Sequence, residues 1–194
     1  MSPAPKPGPI RQYVFAYGSL AVGPGPALTR HRGPGGFVAD LRGYARQWGV
    51  AMDNRRDLPG YKYYIDEAGR RPAVFVTFLD VRPSPSAVSN GVCRPVDARR
   101  LEILDHRERN YARVDVSDHV LGGGARIWTY VGSPDGRERL ARGVAAGRAV
   151  IHDAYLRQVT GAFTALGADE YEACRRSLCP GPLPVRSLTR HELP

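Results

Sequence analysis

The sequence predicts an α+β fold, built on a small mixed, barrel-like β-sheet with flanking helices. Three observations predict it. Runs of β-branched and aromatic residues fill the first half. One helix-like segment, residues 97–109, interrupts them. Apolar residues then recur at helical spacing in the last third. Strands, an inserted helix, further strands and a helical end together describe an α+β arrangement.

The elements follow in order. Residues 1–11 are rich in proline and read as a disordered leader. Gln12 to Tyr17 form a first strand, which Gly18 breaks. Residues 21–36 are rich in Gly and Pro and read as a loop. Gly36 to Asp53 have strand content, with Gly43 marking a bulge or bend. "NRRDLPG" is a turn region, and "AVFVTFLDV" (Ala73 to Val81) is the clearest strand. "RPSPS" reads as a loop before a further strand, Ala87 to Val96. Asp97 is suited to cap a helix that carries Leu101 and Leu104 on one face and ends near Arg109–Asn110. "YARVDV" and "ARIWTYVG" read as two more strands. Ile151, Tyr155, Val159, Ala162, Phe163 and Leu166 repeat at helical spacing, and Gly167 ends that helix. A short helix runs from about Asp169 through Leu178. Residues 12–180 read as a single domain and 181–194 as an irregular tail.

Composition narrows the function classes. No apolar run is long enough to span a bilayer, and the N-terminus lacks the apolar segment of a signal peptide. A cytoplasmic protein is expected. The three cysteines, Cys93, Cys174 and Cys179, argue against a disulfide framework, and nothing completes a zinc set. The net charge is +9, almost all of it from arginine, because Lys6 and Lys62 are the chain's only lysines. The arginines are scattered and form no basic run with interleaved aromatics, so nucleic acid is not the expected partner. Such a charge favours an anionic small substrate.

Two local features point to chemistry. In "YVFAYGSL" (Tyr13 to Leu20) a strand delivers Gly18 and Ser19 at its end. Glycine lets the backbone turn sharply, and the amides of Gly18, Ser19 and Leu20 then converge on a carboxylate or a developing oxyanion. An ordinary turn after an edge strand is the structural alternative. Glu108 follows Leu104 by four residues and projects from the same inward helix face. A carboxyl placed there is hydrated, paired or neutralised, and burial raises its pKa toward the range of a general base. Pairing of an exposed Glu108 with Arg107 or Arg109 is the alternative. Ser19 does not signal a serine hydrolase: G-x-S-x-G is absent, and the five histidines form no recognisable triad.

Taken together and in order, Tyr17-Gly18-Ser19-Leu20, "GYARQW" (Gly43 to Trp48), "NGVCRPV", Glu108 and Tyr111-Ala112-Arg113-Val114-Asp115-Val116 resemble the γ-glutamylcyclotransferase superfamily, which includes the ChaC-like enzymes and the γ-glutamylamine cyclotransferases. The resemblance spans roughly residues 12–131. It implies a small β-barrel with flanking helices. It also implies an enzyme without metal or cofactor that acts on a γ-glutamyl amide, whose α-amine attacks its own side-chain carbonyl and releases 5-oxoproline and a free amine or peptide. By the same resemblance Glu108 is the general acid/base. Tyr17, Gly18, Ser19 and Leu20 bind the glutamyl head, with Tyr111 near Glu108 or the substrate and Arg46 as a candidate partner of the substrate carboxylate. After Leu20 the chain continues as "AVGPGPAL" and departs from the Trp- or Asn-Pro-containing stretch usual in ChaC-like enzymes, which leaves the leaving amine open. The expected partner is a small γ-glutamyl substrate, with no nucleic acid and no membrane. A non-catalytic small-anion or partner-binding module on the same fold is the alternative function.

Overall fold

The computed structural model describes residues 12–23, 28–57, 60–120, 125–178 and 181–193. The expected leader and Cys179 lie outside them. Strand β1 (Gln12–Ala16) leads through a 3-10 turn (Ser19–Ala21) to the long strand β2 (Phe37–Asp53). There follow β3 (Lys62–Ile65), a 22-residue strand β4 (Phe75–Val96), helix α1 (Ala98–Arg107) and β5 (Tyr111–Asp115). The chain continues through a 3-10 turn (Ser117–His119), β6 (Arg126–Gly132), α2 (Pro134–Ala145), β7 (Ala149–His152), α3 (Asp153–Leu166) and α4 (Ala168–Ser177), then β8 (Val185–Arg186) and β9 (Thr189–Glu192).

Among the described residues, a seven-stranded mixed sheet with four helices makes the α+β architecture. The strand order is β5-β6-β1-β4-β7-β8, with β2 also paired to β4. β4 is the organising strand because it changes partners along its length. Its start runs parallel to β7, its end antiparallel to β1, and β2 pairs with it from Phe75 to Pro83 and again from Val88 to Cys93. The start of β1, Gln12 to Val14, is also parallel to β6, so β1 is an interior strand of the sheet. A separate two-stranded sheet pairs β3 with β9, Lys62 opposite Glu192 and Tyr64 opposite Arg190.

Several sequence expectations meet their physical causes here. Gly43 has φ +74° where the β2–β4 register shifts, the bend expected of it. The Asp97 carboxylate accepts the Arg100 amide at 2.7 Å and caps α1, which buries Leu101 and Leu104 against Val14 and Tyr130. "RPSPS" is not a loop between two strands but part of β4; the register passes from Arg42↔Val88 to Tyr44↔Pro83, so residues 84–87 make no ladder pair with β2. Pro85 falls within this unpaired stretch and Pro83 at its edge, opposite Tyr44.

Other elements depart from the sequence pattern. Ile151 belongs to β7, not to the helix that follows. Helix α2 starts on a Ser133 cap and packs Gly136 and Gly143 against Val50 and Phe75, so close contact replaces apolar periodicity as its anchor. The expected irregular tail contains β8 and β9. Their pairing partners lie far back in the chain, out of reach of local pattern.

The main core joins both sides of the sheet to α3 through Phe15, Leu41, Leu79, Ile127, Val159 and Phe163. A second cluster, around Val50, Val76, Tyr64 and Val150, supports β3 and β7. Cys93 and Cys174 are buried free thiols, and burial pushes the Cys93 thiol up to about 12. Among the described residues no helix is long and apolar enough to cross a membrane.

Candidate active site

The end of β1 fixes the first half of the site. Val14 to Tyr17 are buried, and the chain turns at Gly18. A side chain at Gly18 would place its Cβ 3.1 Å from the Tyr155 hydroxyl oxygen and 3.7 Å from Leu79 Cδ1. The glycine therefore allows bare backbone to approach α3. The Gly18 carbonyl accepts the Ala21 amide at 2.9 Å, closing the 3-10 turn. Ser19 and Leu20 open that turn, so their amides have no acceptor within it.

The second half comes from the end of α1. The helix stops at Arg107, and Glu108 is its C-cap (φ −88°, ψ 51°), with its amide donating to the Leu104 carbonyl at 2.8 Å. Glu108 thus leaves the helix rather than continuing its inward face. Its carbonyl accepts the Tyr111 amide at 2.9 Å, which turns the chain into β5. The Glu108 side chain is only 15% exposed, and among the described residues its one ion pair is with the half-exposed Arg107, Nε to Oε1, 3.3 Å. Burial raises the Glu108 carboxyl above its ordinary range, while the cations of Arg107 and Lys62 pull against this.

These two halves meet. A recess of about 30 Å³ is lined by Tyr17, Gly18, Ser19, Leu20, Glu108, Tyr111 and Tyr155, over a floor of Phe15 and Leu79. It adjoins a larger cavity of about 540 Å³ that shares Ser19, Glu108, Tyr111 and Tyr155. The buried carboxyl stands where the two spaces join.

The tyrosines divide by what their hydroxyls already hold. Tyr17 donates to the Tyr130 carbonyl at 2.5 Å, and Tyr111 to the Leu79 carbonyl at 2.6 Å. Both protons are committed to backbone, so these two residues shape the recess more than they serve it. The Tyr155 hydroxyl instead accepts the Leu79 amide at 3.4 Å, which leaves its own proton to give. Burial raises Tyr17, Tyr111 and Tyr155 well above the usual phenol range, so all three stay protonated at neutral pH.

Six of the seven sequence-predicted residues, Tyr17, Gly18, Ser19, Leu20, Glu108 and Tyr111, line this recess. Arg46 does not, and it lines the larger cavity no more than the recess. It is 6% exposed, and its guanidinium donates to the Asn90 carbonyl, to Asn90 Oδ1 and to Ser177 Oγ while lying 4.8 Å from the Phe163 ring. Those bonds tie β2, β4 and the end of α4 together. The arginine expected to meet substrate is a core strut.

Sequence reasoning missed the rest of the wall. Tyr61, Lys62 and Tyr64 come from the β3 region, His152 and Tyr155 from the β7–α3 junction, and Arg190 and Glu192 from β9. Only Tyr155 lay in a recognised pattern, the helical repeat of α3. The β3–β9 ladder joins residues almost 130 positions apart, which local spacing does not register.

No protein-family model matches the chain, and no curated protein matches it in sequence. Solved structures do match in fold. The chain is similar to YkqA of Bacillus subtilis with a TM-score of 0.53 at 16% identity, over 90% of this chain and 56% of that one. It thus spans little more than half the length of YkqA. It is also similar to a gamma-glutamyl cyclotransferase (TM-score 0.48, 17% identity, 84% of this chain and 85% of that one). A gamma-glutamyl cyclotransferase specific to glutathione, from yeast, matches with a TM-score of 0.41 at 16% identity, over 87% of this chain and 97% of that one.

Proposed function

We propose that this protein is a γ-glutamylcyclotransferase, which cleaves a γ-glutamyl amide by intramolecular attack and releases 5-oxoproline and an amine. The observation that carries the reading is the buried Glu108 carboxyl, raised above its ordinary range, sharing one recess with the Gly18–Leu20 turn. The ordered motifs from Tyr17 to Val116 support it.

The mechanism follows from the geometry. At about 30 Å³ the recess admits only the reacting end of the glutamyl head, whose remainder extends into the adjoining cavity of about 540 Å³. Positioning alone is powerful here, since well-oriented intramolecular reactions reach effective molarities of about 10⁵–10⁸ M. The α-amine arrives as an ammonium and becomes a nucleophile only after losing a proton. Glu108, mostly buried and with its proton affinity raised, takes it. The amine nitrogen then bonds to the side-chain carbonyl carbon, and the carbonyl π electrons move to oxygen. The Ser19 and Leu20 amides and the Tyr155 hydroxyl are the donors available to that oxyanion; one such donor is worth about 10²–10³-fold. As the carbonyl re-forms, the original amide C–N bond breaks, Glu108 returns its proton to the departing nitrogen, and the ring nitrogen gives up its second proton, which ends on the released amine as its ammonium. The leaving half occupies the larger cavity.

The test is to incubate the purified protein with a panel of γ-glutamyl amides and measure 5-oxoproline and free amine. Stoichiometric appearance of both is the expected result. If no amide yields 5-oxoproline, the reading fails.

A further inference from the structure

The larger cavity bears on which amine leaves, and the inference below rests on the cyclotransferase reading. Its outer wall is the β3–β9 ladder, with Lys62 opposite Glu192 and Arg190 beside it. Its charged lining is Lys62, Arg107, Arg109 and Arg190 against Glu108 and Glu192. The three arginines are answered within the protein. Arg107 pairs with Glu108 at 3.3 Å, and Arg190 Nη2 with Glu192 Oε1 at 2.5 Å. Arg109 donates to the His106 carbonyl and lies 5.6 Å from the Tyr61 ring.

Lys62 differs from them. Among the described residues no carboxylate oxygen lies within 4.0 Å of its ammonium. The ammonium sits instead 4.3 Å from the Phe78 ring centre and 5.5 Å from that of Tyr61. Both rings line the same cavity. Glu108 and Glu192 act on the ammonium only from longer range, so this cation, held over aromatic faces in a space built for a ligand, has no carboxylate of the described residues in direct contact.

We propose that Lys62 is the counter-ion for a carboxylate on the leaving half, so that the preferred substrates are γ-glutamyl amides of amino acids or peptides, not of polyamines or neutral amines. Burial, with the Arg190 and Arg107 cations, pushes Lys62 down to about 8 against the pull of Glu108 and Glu192, and an incoming carboxylate adds to that pull. The position also separates two roles. A carboxylate on the glutamyl α-carbon is common to every substrate of this class, whereas one on the leaving half varies.

The experiment uses probes that lack the α-amine and so do not cyclise: glutaryl-glycine, and glutaryl-glycinamide, which differs only in the terminal charge. Calorimetric titration of the wild-type protein is expected to give about ten- to a hundredfold tighter binding of glutaryl-glycine, the range for a hydrogen-bonded charge. K62M should bring the ratio close to one, and K62R, which keeps the charge, should restore most of it. Equal affinity for the two probes in the wild type would overturn the proposal, as would undetectable binding of both. A loss of both probes in K62M with their ratio unchanged would assign Lys62 to the glutamyl head and overturn it too. Retention of the charge preference by a folded K62M would do the same. Lys62-dependent binding of glutaryl-glycine, without 5-oxoproline from any γ-glutamyl amide, would support the carboxylate site and refute cyclisation.

Discussion

Replacing Glu108 by Gln removes one proton-carrying group and changes little else. In the wild type the carboxyl is mostly buried and touches one cation, Arg107, whose side chain is 52% exposed. An ion pair of that kind is worth about 0–1 kcal/mol, so E108Q should fold. The catalytic loss is of another order. General acid–base catalysis contributes about 10²–10⁴-fold, or about 3–5 kcal/mol of barrier. The expected result is a kcat for 5-oxoproline release lower by that factor, with KM little changed because the carboxamide keeps the shape. Stability should move in the opposite direction. The folded-state pKa of Glu108 is raised above 4.5, so the native protein binds its proton more tightly than the unfolded chain. Wild-type stability therefore falls as pH rises from 4.5 through the folded value. E108Q lacks this penalty, so its Tm should match the wild type near pH 4 and exceed it near pH 7. The assay pairs 5-oxoproline detection with thermal melts at the two pH values. A folded E108Q that turns over at the wild-type rate would refute the assignment of Glu108 as the proton carrier.

Gly18→Val should weaken binding of a γ-glutamyl ligand about tenfold or more, since the new side chain starts 3.1 Å from the Tyr155 hydroxyl; titration with glutaryl-glycine reads this, and unchanged affinity would make the turn purely structural. Tyr17→Phe should lower stability by about 1–3 kcal/mol by orphaning the buried Tyr130 carbonyl, yet leave kcat within a few-fold; a large kcat loss at unchanged Tm would show the hydroxyl acting on substrate. Lys62→Met should raise the Tm at pH 7. The native lysine loses its proton near pH 8 instead of 10.5, so its charged form costs stability below pH 8 and the cost fades as pH rises from 8 to 10.5. The stability advantage of K62M, on the order of 1–3 kcal/mol at neutral pH and read as a higher Tm, should therefore shrink by pH 10, and a pH-independent difference would contradict the burial of that ammonium.

Much of the fold was written in short stretches of chain. The β1 run with its Gly18 break, the Gly43 bend, the Asp97 cap and the α3 repeat each depend on residues within a few positions of one another. Glu108 and the Gly18 turn were legible for the same reason: each is the end of an element whose start and stop signals are local. The elements that escaped are held from elsewhere. Helix α2 is anchored by glycines pressed against β2 and β4, and β9 by a partner strand on the far side of the sequence.

The sequence by itself determined that an acid and a strand-end glycine turn exist, and that the fold mixes sheet and helix, because propensity, capping and periodicity act over a few residues. Only the tertiary structure decided that the acid and the turn share one recess. It also decided that Arg46 is a strut and Lys62 a wall of the cavity. Both arginine and lysine carry the same charge in a linear reading. Burial, and the identity of the groups that distant strands bring beside each one, set what that charge is for.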